Sequence, residues 1–370
     1  MTKIRVLQMP VANARGGITR YALQNARFID RSRFVVDFAT RSPWLDFADL
    51  LAGLGGKAHY FSCSSLEDER RFAGEMHRIL DGGYDAVHLH TSYWNGQLAE
   101  KIASERGCPL VIVHAHSTMV DLADAGKRTA AIELHERLKR EFSEQMANRF
   151  CACSAAAAAW LFGENIPGKK IRILKNAIDV AAFSFNPATR ERTRRELRLS
   201  GKLVLGCVGR FTYQKNHEKL LDVFALVRDR LPTARLVLVG DGPLLDQARR
   251  DATGRGLDGD VAFLGRRGDV ADLMQAMDVY LQPSRFEGLG LALVEAQAAG
   301  LRCLASEHVP PETGVTPELV RVSGDAGVWA DAVLELAGGY DRRDGSGKVA
   351  AAGYSIRRQI GEIEKLYAGL

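Results

Sequence analysis

Two cations and two carboxylates in the second half of the chain are spaced for work on a phosphorylated sugar. Arg210 and Lys215 lie in Gly209-Arg210-Phe211-Thr212-Tyr213-Gln214-Lys215-Asn216-His217, directly after the apolar run 203–208. A guanidinium can donate two parallel hydrogen bonds to a phosphate, and a lysine adds a mobile point charge. Together they could bind a diphosphate and neutralise the charge that grows as it leaves. A solvated basic loop would satisfy the same spacing. Glu287 and Glu295 bracket Gly288-Leu289-Gly290-Leu291, which follows the apolar run 279–282. The glycines let backbone approach a ligand, and the helix that follows offers unpaired N–H groups to an anion. Glu295 falls among Leu291, Leu293, Val294, Ala298 and Ala299. A carboxylate there is expensive to bury unless it accepts real hydrogen bonds, such as those from vicinal sugar hydroxyls. A solvent-facing helix position for Glu295 and a plain loop charge for Glu287 remain open.

These segments need strand ends to hold them, and the chain supplies two sets. In the first half, strand-like runs at 3–8, 34–39, 86–90, 110–113, 150–153 and 171–174 alternate with helical stretches at 17–29, 66–80, 95–106, 132–149 and 155–162. The alternation restarts at 203–208 and continues through 235–239, 261–264 and 279–282 with helices between. Repeated strand, helix, strand predicts an α/β fold of two Rossmann-like domains with an interdomain cleft. The arginine-rich stretch 183–199, with Pro187 and no strand pattern, marks the division. The expected domains are 1–183, 184–347 and a C-terminal amphipathic helix, 348–370, that closes the second domain or crosses back to the first.

Composition narrows the class. With 370 residues, 46% hydrophobic and 26% charged, the chain can bury more than one core. Net charge of +5 suits an anionic small molecule or lipid headgroup without demanding nucleic acid. Six cysteines in so long a chain point to a reduced setting, with Cys151 and Cys153 as structural thiols. No leader or spanning segment is apparent, so a cytoplasmic protein is expected.

The Gly-Arg-x-x-x-x-Lys segment and the Glu-x7-Glu motif, in this order and fold context, resemble the retaining nucleotide-sugar glycosyltransferases of the GT-B class, family 4. That resemblance implies that Arg210 and Lys215 hold the donor diphosphate, that Glu287 touches the transferred sugar, and that Glu295 holds the ribose. Gly288, Leu289, Gly290 and Leu291 then line the donor site. Lys175-Asn176-Ala177-Ile178-Asp179 is similar to the family's Asn-Gly-Ile-Asp, with Ala177 in place of the glycine. The wording from Ser306 to Trp329 resembles the bacterial exopolysaccharide and capsule subgroup. The resemblance further implies retention at the anomeric carbon, no required metal or other cofactor, UDP as the donor nucleotide, and a saccharide or lipid-linked saccharide acceptor. Peripheral contact with an anionic membrane through Lys127, Arg128, Arg137, Lys139 and Arg140 is compatible with it, although Glu133, Glu136 and Glu141 interrupt that group.

The first half carries fainter signals. Gly16-Gly17, after the first strand and before a helix, would admit a phosphate or sugar, or simply form a tight turn. In the resembling enzymes this loop borders the donor. His114-Ala115-His116 follows the run 110–113, and the resemblance implies a histidine near the transferred sugar, His116 in preference to His114. His88 and His90 form a second His-x-His pair. Four histidines also permit a metal-dependent hydrolase completed by a carboxylate such as Asp121. That reading leaves the Arg, Lys and two-Glu pattern unused. A noncatalytic nucleotide-sugar-binding protein is the third alternative. The full glycine fingerprint of a nicotinamide enzyme is missing around Gly16 and Gly17, and no complete Gly-x-x-x-x-Gly-Lys-Ser/Thr phosphate loop is present. Asp258-Gly259-Asp260 reads as a solvent turn.

Overall fold

The computed structural model describes residues 2–13, 16–338 and 341–369. They form two compact units. The first comprises 1–120, 124–177 and 356–370; the second comprises 121–123 and 178–355. Each is built on one parallel sheet, together a GT-B fold of two Rossmann-like domains.

In the first unit the strands are β1 (Ile4–Val11), β2 (Phe34–Thr40), β3 (Ala58–Tyr60), β4 (Ala86–Thr91), β5 (Leu110–Ala115), β6 (Arg149–Ala152) and β7 (Ile171–Ile173), in the order β3-β2-β1-β4-β5-β6-β7. The second unit holds β8 (Val204–Val208), β9 (Arg235–Val239), β10 (Val261–Phe263), β11 (Val279–Gln282), β12 (Arg302–Ser306) and β13 (Leu319–Val322), in the order β10-β9-β8-β11-β12-β13. Every residue of β8 and β11 is buried. That is why these strands read as continuous apolar runs instead of alternating ones: helices cover both faces of a parallel sheet. In each unit the strand order reverses once, between β1 and β4 and between β8 and β11. Crevices at such switch points, beyond the carboxyl ends of the strands, are where doubly wound folds bind ligands.

Local boundaries depart from the sequence expectation: the helix expected over 132–149 lies earlier, at Ala125–Glu141, where the Asp124 side chain accepts from Lys127 N–H and caps it. The helix expected over 66–80 starts at Glu69, because the Asp68 side chain accepts a hydrogen bond from Arg71 N–H and caps it there. The arginine-rich stretch is not a spacer. Asn186 caps the helix Pro187–Glu196, and Arg190 and Arg194 reach back to Asp278 at 2.5 and 3.1 Å, at the entry to β11. The stretch therefore belongs to the second unit, and the division lies at 177/178 instead of 183/184. The amphipathic segment expected over 348–370 is broken. Gly353, at φ 91°, turns the chain in the left-handed region. Directly after Gly353, Tyr354 is still buried in the second unit and its hydroxyl donates to Glu312 O at 2.7 Å. After it, the helix Ile356–Tyr367 joins the first unit, where Ile363, Leu366 and Tyr367 enter the core with Phe34 and Tyr21. No helix among the described residues is long and apolar enough to cross a membrane.

Candidate active site

The loops that follow β8 and β11, the two strands flanking the second switch point, carry Arg210, Lys215 and Glu287, and the helix after the second loop carries Glu295. Lys215 Nζ lies 2.5 Å from Glu287 Oε1, and both side chains are largely buried. Ser284 Oγ donates to the same carboxylate oxygen at 2.7 Å and Gln282 Nε2 at 3.2 Å, while Gln214 Nε2 donates to Oε2 at 3.0 Å. Glu287 is only 4% exposed. A carboxylate can be held out of water on these terms because four donors replace its hydration. Burial pulls the Lys215 pKa down, but the adjacent Glu287 carboxylate outweighs it and holds the ammonium above its ordinary value.

Backbone crowding fixes this corner. A Cβ on Gly209 would press on the Lys215 stem at 3.1 Å, so the lysine lies back across the glycine. A Cβ on Gly240, beyond β9, would sit 1.9 Å from the Gly209 carbonyl oxygen. Gly240→Ala is therefore expected to displace the Gly209-Arg210 turn and to lower stability by about 3 kcal/mol, the upper range for overpacking a tight contact. Thermal unfolding checks this; a melting temperature equal to that of the unmodified chain contradicts it.

Glu295 lies on the helix Leu291–Ala298 and is fully buried, which removes the solvent-facing alternative. Gly290 precedes that helix at φ 92° without a side-chain cap. Only glycine fits there, since a Cβ would meet Gln282 Nε2 at 2.8 Å. Leu289 is buried beside it, and Leu291 is half-buried. Arg210 is exposed and stands outside the hydrogen-bonded cluster around Glu287. Gln214, Gln282 and Ser284 were not singled out from sequence. The signal for Gln282 was present, since it is a polar residue ending the otherwise apolar strand Val279–Gln282.

In the first unit the four histidines converge on Tyr21, which touches all of their rings at centroid distances of 5.2–6.4 Å. His88 Nε2 meets His114 Nδ1 at 3.1 Å, and His88 Nδ1 meets Tyr367 Oη at 2.8 Å. His90 Nδ1 meets His116 Nε2 at 3.0 Å, and His90 Nε2 meets Gln8 Oε1 at 3.0 Å. Burial holds His88 and His116 down to about 3, and His90 and His114 well below the ordinary value, so all four are neutral near pH 7. His114 is fully enclosed, whereas His116 is half-buried. Gly16 is extended at φ −60°, ψ 175°, and Gly17 begins the helix Gly17–Phe28 with nothing within 4 Å of a Cβ built on it. Gly17 therefore has open space beside it, and Gly16 is not in a left-handed turn. Ala14 and Arg15 lie outside the described residues.

Nitrogens of His88, His90 and His114 come within 4.8 Å of one another, close enough to hold a metal ion. Asp121 does not complete that group: it belongs to the second unit, where its carboxylate accepts from Gln214 N–H at 2.9 Å. Both ring nitrogens of His88 and of His90, and Nδ1 of His114, are hydrogen-bonded to one another, to His116, to Gln8 or to Tyr367.

Comparison with known proteins follows the same division. Residues 16–177 match the family described as glycosyl transferase 4-like domain, and residues 202–338 match glycosyl transferases group 1. The Bacillus subtilis (strain 168) "Putative glycosyltransferase EpsF" is 30% identical over 98% of this chain and 96% of its own. The chain belongs to this glycosyltransferase family. A second relative of the enzyme, the Escherichia coli UDP-Gal:alpha-D-GlcNAc-diphosphoundecaprenol alpha-1,3-galactosyltransferase, is 24% identical over 82% of this chain and 80% of its own. Among solved structures, Anabaena HepE in complex with UDP and glucose superposes with a TM-score of 0.78 at 18% identity, covering all of both chains. That likeness supports the fold of the glycosyltransferase.

Proposed function

We propose that this glycosyltransferase moves a hexosyl unit from a UDP-sugar to a hydroxyl of a growing, lipid-linked saccharide, with retention at the anomeric carbon and without a required metal ion, in the building of a bacterial exopolysaccharide or capsule. The observation that carries the reading is the buried Lys215–Glu287 pair at the switch point of the second sheet. It puts a lysine ammonium and a sugar-binding carboxylate side by side, as transfer from a diphosphate requires. Arg210 and Lys215 take the diphosphate, and the uncapped N-terminus beyond Gly290 adds backbone donors. Glu287 orients the transferred sugar and Glu295 the ribose. From the first unit the reading assigns His116 to the transferred sugar and Gly16 and Gly17 to the donor-bordering loop. The printed substrates of the Escherichia coli relative, and the UDP held by Anabaena HepE, favour a UDP-sugar and a diphosphate-lipid acceptor. Such an acceptor would bring the enzyme to the inner face of the membrane as a peripheral protein.

In this mechanism the acceptor oxygen attacks the anomeric carbon on the face from which the diphosphate departs. The carbon–oxygen bond to UDP breaks, and the acceptor proton passes to the leaving phosphate oxygen. The cations lower the cost of the charge that develops there. Incubation with a panel of nucleotide sugars and an undecaprenyl-diphosphate saccharide is expected to give an α-linked product from an α-linked UDP donor, at a rate unchanged by a chelator. An inverted product, or activity lost to the chelator and restored by a divalent ion, overturns the reading.

A further inference from the structure

We propose that Gln8 and His90 are positioning residues that set which nitrogen of His116 carries its proton. This rests on the assignment of His116 to the transferred sugar. The three side chains form one row through the centre of the first sheet: Gln8 on β1, His90 on β4, His116 just beyond β5. Gln8 is fully buried and His90 is 3% exposed, so water does not compete for either. Two hydrogen bonds of 3.0 Å join the row.

The row has a direction. An amide oxygen can only accept, so Gln8 Oε1 requires the proton of neutral His90 to be on Nε2. Nδ1 of His90 is then a bare lone pair and must accept from His116 Nε2–H. That leaves His116 Nδ1 as an acceptor, and among the described residues this buried atom has no protein hydrogen-bond partner. An imidazole held in that form presents a lone pair and no proton at Nδ1, so a group that reaches this atom must donate to it. The parallel row, Tyr367–His88–His114, has no such polarity imposed at its start, because a phenol both donates and accepts. The row ending at His116 begins on Gln8 Oε1, while Gln8 Nε2 is buried without a hydrogen-bond partner among the described residues.

The test is the tautomer itself, read from the ring ¹⁵N shifts of the full chain labelled at histidine, with turnover measured beside it. His116 of the unmodified protein is expected as the Nε2–H form. Gln8→Met keeps the volume and removes the acceptor, and is expected to mix the His116 tautomers and to lower kcat about 10- to 100-fold with little change in donor KM. Gln8→Glu keeps an acceptor and is expected to restore the Nε2–H form and most of kcat. A packing role predicts the opposite order, with methionine tolerated and a buried glutamate harmful. An Nδ1–H form in the unmodified protein, or an unmoved tautomer in Gln8→Met, overturns the proposal. A shifted tautomer with unchanged turnover counts against the assignment of His116 and leaves the relay standing.

Discussion

Lys215→Ala is expected to lower kcat by about 10²- to 10³-fold, the cost of removing one preorganised group that stabilises developing charge. The ammonium is held 2.5 Å from Glu287 in a largely buried setting, so its charge is little screened. The same substitution removes the one cation of a buried pair. Stripping a partner from such a pair costs about 3–5 kcal/mol when the remaining charge is left uncompensated. Here Ser284, Gln282 and Gln214 still donate to Glu287, which places the loss at the lower end of that range. Steady-state kinetics and urea unfolding separate the two effects. Arg210→Ala should reduce turnover with little change in stability, because Arg210 is exposed and stands outside the cluster. Catalytic efficiency of Lys215→Ala within about twofold of the unmodified enzyme would end the assignment.

Acid is expected to unfold the first unit before the second. His88, His90 and His114 are buried as neutral rings with depressed pKa values, while each titrates near 6.5 in an unfolded chain. From about pH 6.5 down to the depressed folded-state values, about 3 for His88, the unfolded state therefore binds more protons than the folded state. Stability is full above that window and falls as pH drops through it. At pH 5 the penalty is about 2 kcal/mol for His88, and His90 and His114 add to it in the same direction, against the 5–15 kcal/mol that ordinary domains possess. His135, held down to about 4, adds to the same unit, whereas the second unit contributes His217, held down to about 3. Fluorescence of Trp94, which is buried in the first unit, reports the transition. A urea midpoint that does not move between pH 7.5 and pH 5 would show that these rings take up protons normally in the folded chain.

Periodicity and apolar runs were enough to reveal two α/β halves, because parallel strands buried on both faces write themselves as unbroken stretches such as Val204–Val208. Residue type and spacing also led to Lys215 and Glu287, whose loops must follow β8 and β11 wherever those strands pack. What stayed hidden depended on neighbours distant in sequence. Nothing near Glu295 distinguishes a buried face from a wet one, since its helix is apolar on nearly every side. The arginines at 190 and 194 read as a solvated charge run until Asp278 stands opposite them. Gln8 looks like one polar residue in a buried strand; its meaning comes from a histidine on another strand. The end of the second unit was misplaced for a different reason. A helical repeat runs on either side of Gly353, and one left-handed residue is too small a mark to show that the chain changes unit there.

That break has a consequence for biosynthesis. The helix Ile356–Tyr367 is translated after the whole of the second unit, yet it supplies Ile363, Leu366 and Tyr367 to the core that begins at β1. While the ribosome is still making the inserted half, the nascent first sheet lacks this cover and His88 lacks the Tyr367 hydroxyl. The second unit is contiguous but for 121–123, so it can mature before the first is sealed, and premature termination after Tyr354 would spare the later-made half while leaving the earlier-made one open.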